Sequence, residues 1–161
     1  MNKRRLYFGC AISGLPREHY EEMVGFRSGL AGHFMVQDFC DPQLYTDAEV
    51  YHNDIHHAVR HAKLMLAFCD ERSTGLGYEL GTMIERHGKP VLALAREGVR
   101  VSKLIAGISH PRFEFCRYTS LDEVLPLLLD FERRHFSFSG RVRDFLLSLV
   151  WKLRVRGHTP T

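Results

Sequence analysis

Short apolar runs alternate along this chain with segments in which apolar residues recur every three or four positions. The apolar runs predict buried β-strands at residues 6–12, 34–36, 63–69, 90–95 and 113–116. The helical spacing predicts helices after Pro16 and at residues 46–62, 76–87, 102–108, 121–133 and 139–156. Because strands that alternate with helices form a parallel sheet covered on both faces, this pattern predicts an α/β fold.

The run from Ser73 to Gly81 follows the strand predicted at residues 63–69. Parallel sheets bind ligands beyond the carboxyl ends of their strands, so this run is expected to reach a ligand. Gly75 and Gly77 predict a loop that lets the backbone approach the ligand, and the following helix places Glu79 near an N-terminus that favours its ionised form. Glu79 is therefore a candidate nucleophile. The alternatives are a dinucleotide site, a structural turn and a glutamate that only complements the helix dipole.

Asp54 is a second candidate carboxylate, because it lies beside the apolar stripe of the helix predicted at residues 46–62. Two carboxylates at one ligand can divide the cleavage of a glycosidic bond, including an N-glycosidic bond, between attack on the sugar and handling of the leaving group's proton. The alternative is an aspartate on the surface of the helix.

Four histidines of the same helix form two i, i+4 pairs, His52 with His56 and His57 with His61. This spacing could hold a metal ion. Since the glutamate of the His-Glu-x-x-His motif is absent, solvated histidines explain the pairs more simply than a metal site.

Composition limits the class of partner. The chain has 161 residues, of which 45% are hydrophobic, enough for a single domain with a sizeable core. Its net charge of +3 comes from interspersed charges of both signs, which predicts no nucleic-acid polymer as a partner but is compatible with a small anionic ligand. Four cysteines without a Cys-x-x-Cys pair predict free thiols in a reducing cytosol. No apolar run approaches the roughly 18 residues of a membrane span, so we expect a soluble, cytoplasmic protein without stable membrane insertion.

The C-terminal segment at residues 139–156 combines helical spacing of apolar residues with five Arg or Lys residues. Packing against the core or against another subunit explains this pattern most simply, and a basic amphipathic helix on a membrane surface, which Trp151 would suit, is the alternative. We therefore divide the chain into a domain at residues 1–134 and a basic amphipathic C-terminal helix and tail at residues 135–161.

Several motifs taken together indicate a family. They are Tyr7-Phe8-Gly9 on the first strand, Asp54 on a helix, Ser73 six residues before Glu79, Gly77-Tyr78-Glu79-Leu80-Gly81, Gly88-Lys89-Pro90-Val91-Leu92, residues 101–107 and Arg112-Phe113. With these motifs, residues 4–133 resemble the nucleoside 2-deoxyribosyltransferase family, which includes N-glycosidases of deoxynucleoside monophosphates. The resemblance implies a Rossmann-like (flavodoxin-like) fold and no metal or organic cofactor.

The resemblance also implies a role for each site residue. Glu79 matches the nucleophile that forms a glycosyl-enzyme ester in a retaining, two-step reaction, Asp54 matches the acid or sugar-positioning carboxylate, and Tyr7 matches the tyrosine that orients the nucleophile. Ser73 and Ser102 match serines that bind the 5-phosphate, the second from a neighbouring subunit, so a homodimer or a dimer of dimers is implied. The other expected substrate contacts are Gly9, Ser13, Gly75 and Gly77.

The chain departs from both branches of this family. The monophosphate hydrolases carry a serine and an arginine in the first loop, where this chain has Ala11 and Ser13, and loss of the guanidinium removes a bidentate phosphate clamp. The transferases usually carry an aspartate at the position of Ser73. This chain also has one residue more than the hydrolases between Asp54 and the following strand.

The function implied is cleavage of the N-glycosidic bond of a nucleoside or its monophosphate, with transfer of the sugar to water or to a free nucleobase. Ser73 and Ser102 favour hydrolysis of a phosphorylated substrate, whereas Ala11 and Ser13 do not. The alternative is a catalytically silent nucleotide-binding or sensing module that uses the same cleft.

Overall fold

The computed structural model describes residues 3–11, 16–37 and 45–156. In this part of the chain five strands form one sheet in which every pairing is parallel. The strands are β1 (Arg5–Cys10), β2 (Met35–Gln37), β3 (Leu64–Phe68), β4 (Val91–Arg96) and β5 (Phe113–Tyr118). Their order, β2-β1-β3-β4-β5, is that of a flavodoxin-like sheet, in which the order switches between β1 and β3. The expected fold class is confirmed.

Within the described ranges, six helical segments accompany the strands. They are α1 (Arg17–Leu30), α2 (Asp47–Tyr51, continued as a π-helix over His52–Val59), α3 (Thr74–Gly81, continued as a π-helix over Thr82–Arg86), α4 (Lys103–Ala106), α5 (Val124–Phe136, preceded by a 3-10 turn at Leu121–Glu123) and α6 (Phe138–Arg156). None of the helices in the described ranges is long and apolar enough to cross a membrane.

Successive side chains of the strands point into two separate hydrophobic cores, as the pleat requires. One core lies under α2 and α3, and we call its side of the sheet the small-residue face; its strand residues are Tyr7, Met65, Ala67, Val91, Ala93 and Ala95, and Cys69, which directly follows β3, belongs to it too. The other core lies under α1 and α5, and we call its side the large-residue face; its strand residues are Leu6, Phe8, Leu64, Leu66, Phe68, Leu92, Leu94 and Tyr118. The helices thus cover both faces of the sheet.

The start of α3 differs from the expectation. The helix begins at Thr74, two residues earlier than predicted, because Oγ of Ser73 accepts a hydrogen bond from the backbone N–H of Leu76 at 3.1 Å and caps the helix. Gly75 and Gly77 therefore lie in the first turn of α3. The prediction that they form a loop before the helix is wrong. The end of the segment is as predicted, since Gly88 adopts a φ of 56° and its N–H binds the carbonyl of Ile84 at 2.9 Å.

The long helix predicted at residues 139–156 is present as α6. It packs against α5 so closely at Gly140 that a Cβ added there would lie 1.8 Å from the carbonyl oxygen of Arg134. Asp144 of α6 is buried, and its Oδ2 lies 2.5 Å from Nδ1 of His135 and 3.7 Å from Nε of Arg112. These contacts fix the first half of α6 on the domain.

The thiols in the described ranges also follow the prediction. Cys10, Cys69 and Cys116 are free. Burial is the main cause that raises the pKa of Cys10 and of Cys69 to about 11, so both behave as unreactive thiols at neutral pH.

Candidate active site

Glu79 of α3 lies beside the carboxyl end of β1. Tyr7 of β1 is 1% exposed, and its hydroxyl donates a hydrogen bond to the Glu79 carboxylate. A Cβ built on Gly9 would lie 2.7 Å from Cδ1 of Leu76 and 3.6 Å from Oε2 of Glu79. The absence of a side chain at Gly9 therefore lets α3 lie close to β1 and brings the carboxylate to the edge of the sheet.

The surroundings of Glu79 raise its pKa to about 7. Burial is the main cause, the charge of Asp54 adds to it, and the hydrogen bond from Tyr7 opposes it. The expectation that the helix N-terminus keeps Glu79 ionised is therefore wrong. Because α3 begins at Thr74, Glu79 lies in the second turn, where the helix dipole has little effect and desolvation outweighs it.

A carboxyl group with a pKa near 7 is present in both forms at neutral pH. In its ionised form Glu79 can attack an electrophilic carbon, and the poorly solvated charge makes the oxygen a stronger nucleophile than that of an exposed glutamate.

Asp54 belongs to the π-helical part of α2 and is 9% exposed. Its charge raises the pKa values of both Glu79 and Tyr7, which places it within electrostatic reach of both groups. A π-helical turn holds more residues than an α-helical turn. Within this π-helical stretch Asp54 lies on the buried side with Ile55 and Ala58. The structure thus brings Tyr7, Asp54 and Glu79 together from three different elements.

Ser73 and Ser102 both line one cavity of about 570 Å³. Each serine caps a helix, since Ser73 Oγ accepts the N–H of Leu76 at 3.1 Å and Ser102 Oγ accepts the N–H of Leu104 at 3.2 Å. Each hydroxyl can still donate its own hydrogen to a ligand. The two serines meet within one chain, so their proximity does not require a second subunit, and the homodimer stays a prediction.

Three basic side chains that the sequence analysis did not identify also line this cavity. They are Arg72, Arg100 and Lys103, and the acidic residue among the described lining residues is Glu71. All four side chains are exposed. The excess of positive charge favours an anionic group in the cavity. The signal that could have identified them is their position, because each lies within two residues of Ser73 or Ser102.

Leu76 separates the carboxylates from the cavity. It lines the cavity, and its Cδ1 also lies against Gly9, beside Glu79. Glu79 and Asp54 are not lining residues, so the cavity lies next to the carboxylate pair and not over it. A ligand with an anionic group at one end can place that group in the cavity and its reacting carbon near Glu79.

The other expected contacts have different outcomes. Gly77 lines the cavity, and a Cβ built there would meet no described atom within 4 Å, so the backbone is open to a ligand. Gly75 is exposed near Ser73. Ser13 lies outside the described residues.

The histidine pairs of α2 lie on its exposed side. The ring centroids are 5.6 Å apart for His52 and His56 and 5.1 Å apart for His57 and His61. Across the part of the chain that the structure describes, no group of three or more His, Cys, Asp or Glu side chains is arranged to hold a metal ion.

Comparisons with known proteins add two findings, while no family model matches the chain. The chain is 35% identical over 133 residues to a curated protein of Syntrophotalea carbinolica named "Putative 2'-deoxynucleoside 5'-phosphate N-hydrolase 1", a match that covers 78% of this chain and 92% of that protein. The solved structure of Clostridium botulinum CMP N-glycosidase, BcmB, matches with a TM-score of 0.57 and 21% identity, over 80% of this chain and 99% of that one. The second match shows the same fold.

Proposed function

The chain belongs to the nucleoside 2-deoxyribosyltransferase family, and we propose that it cleaves the N-glycosidic bond of a (deoxy)nucleoside or its 5-monophosphate. The observation that carries this proposal is the placement of Glu79 in hydrogen-bond contact with Tyr7 and within electrostatic reach of Asp54, at the carboxyl edge of the sheet. Both similar proteins have names that describe cleavage of N-glycosidic bonds in nucleoside monophosphates, which supports the same class of substrate here.

In the first proposed step, an oxygen of the ionised Glu79 carboxylate attacks the anomeric carbon of the sugar. The bond from that carbon to the base nitrogen breaks, and its electron pair leaves with the base. The departing base takes up a proton, which Asp54 supplies if it acts as the acid; in the alternative role Asp54 binds the sugar hydroxyls and fixes the ring. The result is a glycosyl ester on Glu79 and a free base.

In the second proposed step, a water molecule attacks the anomeric carbon from the face that the base left. The bond between that carbon and the Glu79 oxygen breaks, the carboxylate is restored, and a proton of the water passes to the carboxylate of Asp54. Two inversions give overall retention at the anomeric carbon. A nucleobase in place of water gives transfer instead of hydrolysis.

Tyr7 and the cavity explain how the substrate and the nucleophile are held. The Tyr7 hydroxyl directs one oxygen of Glu79 by its hydrogen bond and lowers the Glu79 pKa, which favours the reactive form. The cavity that Ser73 and Ser102 line receives the 5-phosphate. Arg72, Arg100 and Lys103 would supply there the positive charge that the hydrolases place in the first loop, where this chain has Ser13.

The test is a product assay with a panel of deoxynucleosides and their 5-monophosphates, with and without an acceptor base, separated by chromatography. We expect free base from a monophosphate and a loss of about 10³-fold or more for Glu79→Gln, because the amide cannot act as the nucleophile. Glu85→Gln, at an exposed position of the π-helix that continues α3, is the matched control and should keep the parent rate.

Each outcome of this assay decides between the hypotheses. A new nucleoside in the presence of an acceptor base identifies a transferase. Nucleotide binding without any product would identify the catalytically silent module, and a Glu79→Gln variant that retains more than about a tenth of the parent rate would exclude Glu79 as the nucleophile.

A further inference from the structure

The helix α6 has an unusual distribution of side chains over its surface. The side that contacts the domain carries Gly140, Asp144 and Trp151, which lie on one face because they are four and seven residues apart. Gly140 and Asp144 are buried, and the Trp151 ring packs edge-on against His110 with 4.7 Å between ring centroids. A small, an acidic and an aromatic residue thus hold α6 on the domain.

The opposite side of α6 is apolar and points into solvent. Its residues follow the helical repeat and are Phe138, Val142, Phe145, Leu146, Leu149, Val150 and Leu153, with exposed fractions between 44% and 79%. In an ordinary surface helix such a stripe faces the core. In the described structure this stripe stays exposed. A contiguous exposed apolar surface of this kind is typical of a site that binds another molecule or a membrane.

Basic side chains border this stripe on both sides. Arg141 and Lys152 are eleven residues apart, about three helical turns, and so lie along one border. Arg143 and Arg154 have the same spacing and lie along the other border. All four are exposed, but Arg143 also donates hydrogen bonds to the carboxylate of Asp144, at 3.1 Å and 3.3 Å. Asp144, the one acidic residue among the described side chains of α6, is buried.

The geometry points to α6 as a helix that lies on an anionic lipid surface, with its apolar stripe among the acyl chains and Arg141, Lys152 and Arg154 at the level of the lipid phosphates. Helices that bind in a membrane interface combine an apolar face with Lys and Arg at its edges. Anionic headgroups attract such cations within a Debye length.

The basic residues along both borders of α6 disfavour a second copy of α6 as the molecule that binds the apolar stripe. If two copies paired stripe to stripe, the basic borders of one helix would lie against the basic borders of the other. No exposed acid among the described side chains of α6 could compensate them. Like charges that face each other across an interface oppose association.

Flotation with vesicles tests this inference on the full chain. We expect binding to phosphatidylcholine vesicles that contain about one quarter phosphatidylglycerol, little binding to phosphatidylcholine alone, and release when the salt rises from about 0.1 M to about 0.5 M. Phe145→Ser with Leu149→Ser should lower the bound-to-free ratio about tenfold or more by shrinking the apolar stripe. Lys152→Glu with Arg154→Glu should lower it by a similar factor through charge alone.

Met35→Ser is the control, because Met35 is an exposed apolar residue on β2, outside α6. It should float like the parent. Absence of binding to the anionic vesicles overturns the inference, and so does equal binding to both kinds of vesicle. A parent protein that sediments as a dimer, does not float and becomes a monomer in the Phe145→Ser, Leu149→Ser variant would instead identify the stripe as a contact between copies of the chain.

Discussion

The two faces of the sheet use the same strands for different purposes. On β3 the residues that point to the large-residue face are Leu64, Leu66 and Phe68, whereas those that point to the small-residue face are Met65 and Ala67. On β4 the contrast is Leu92 and Leu94 against Ala93 and Ala95. The side chains on one face fill the space under α1 and α5, and those on the other leave space near the carboxyl ends of the strands.

This difference shows where stability and chemistry are separated. On the large-residue face the Phe68 ring lies 5.4 Å from Phe8, 5.8 Å from Phe26 and 5.7 Å from Tyr118, centroid to centroid. On the small-residue face Ala67 and Gly9 let α2 and α3 approach the sheet, so that Asp54 and Glu79 are partly withdrawn from water. Burial of two carboxylates costs free energy, and the dense packing on the other face offsets that cost.

Phe68→Ala tests whether the large-residue face supplies the stability of the fold, and it has the largest expected effect. It should lower the free energy of unfolding by about 3–5 kcal/mol, because it removes a ring that three other aromatic rings contact. Urea unfolding measures the loss, and Phe145→Ala, at a ring that is 59% exposed, is the control with little expected change. The milder Phe68→Leu variant should keep kcat within about twofold of the parent; a large loss of kcat in that folded variant would contradict the division between the faces.

Asp54→Asn tests the other face. We expect kcat to fall about 10²-fold, because the amide neither donates nor accepts the proton of the leaving group. The acid limb of the rate profile should also move to lower pH, since the charge of Asp54 raises the pKa of Glu79. Steady-state kinetics over a range of pH give both values. Asp47→Asn, at an exposed position at the start of α2, is the control. An unchanged acid limb would place Asp54 outside the electrostatic reach of Glu79.

Glu79→Gln tests the small-residue face through the pH dependence of stability that the raised pKa of Glu79 causes. The folded protein holds the proton of Glu79 up to a pKa of about 7, against 4.5 for an exposed glutamate, so the folded state binds more protons between these values. Stability contributed by the protonated form is present below pH 4.5 and is lost as the pH rises through 7. The variant should therefore be more stable than the parent by on the order of 2 kcal/mol at about pH 8 and nearly equal to it at about pH 4.

Urea unfolding at both pH values measures this difference, with Glu85→Gln as the exposed control. A stability difference that does not change with pH would contradict the raised pKa.

Tyr7→Phe is the most delicate test. It keeps the ring and removes the hydroxyl that donates to Glu79, so the Glu79 pKa should rise further and the acid limb of kcat/KM should move to higher pH. We expect a loss of about tenfold at neutral pH, smaller at alkaline pH. A uniform loss at all pH values would mean that Tyr7 only positions the substrate.

The sequence predicted the elements better than it predicted the site. The apolar runs are long enough and the helical repeats regular enough that all five strands and the helices, including α6, lie within a few residues of the expected positions. Short-range sequence patterns determine neither the strand order nor the contact between Tyr7, Asp54 and Glu79, which come from elements far apart in the chain. The family motifs were needed to predict both.

Two errors at α3 have one physical origin. The glycines suggested a loop, but the Ser73 cap starts the helix before them, and this shift moves Glu79 away from the helix N-terminus. Burial then controls its pKa, and burial is a property of the packed fold that a run of nine residues does not contain. Arg72, Arg100 and Lys103 were missed because exposed basic residues are common and only the fold places them around one cavity.

The contact of Gly140 with the end of α5 has a consequence for the whole molecule. Since the backbone of α6 lies against the carbonyl of Arg134 with no space for even a methyl group, the start of the helix is set close to α5, and the contacts of Asp144 with His135 and of Trp151 with His110 hold it further along. Anything bound along α6 would then hold the sheet at a set angle, and the mouth of the cleft would face one direction whenever the protein is attached.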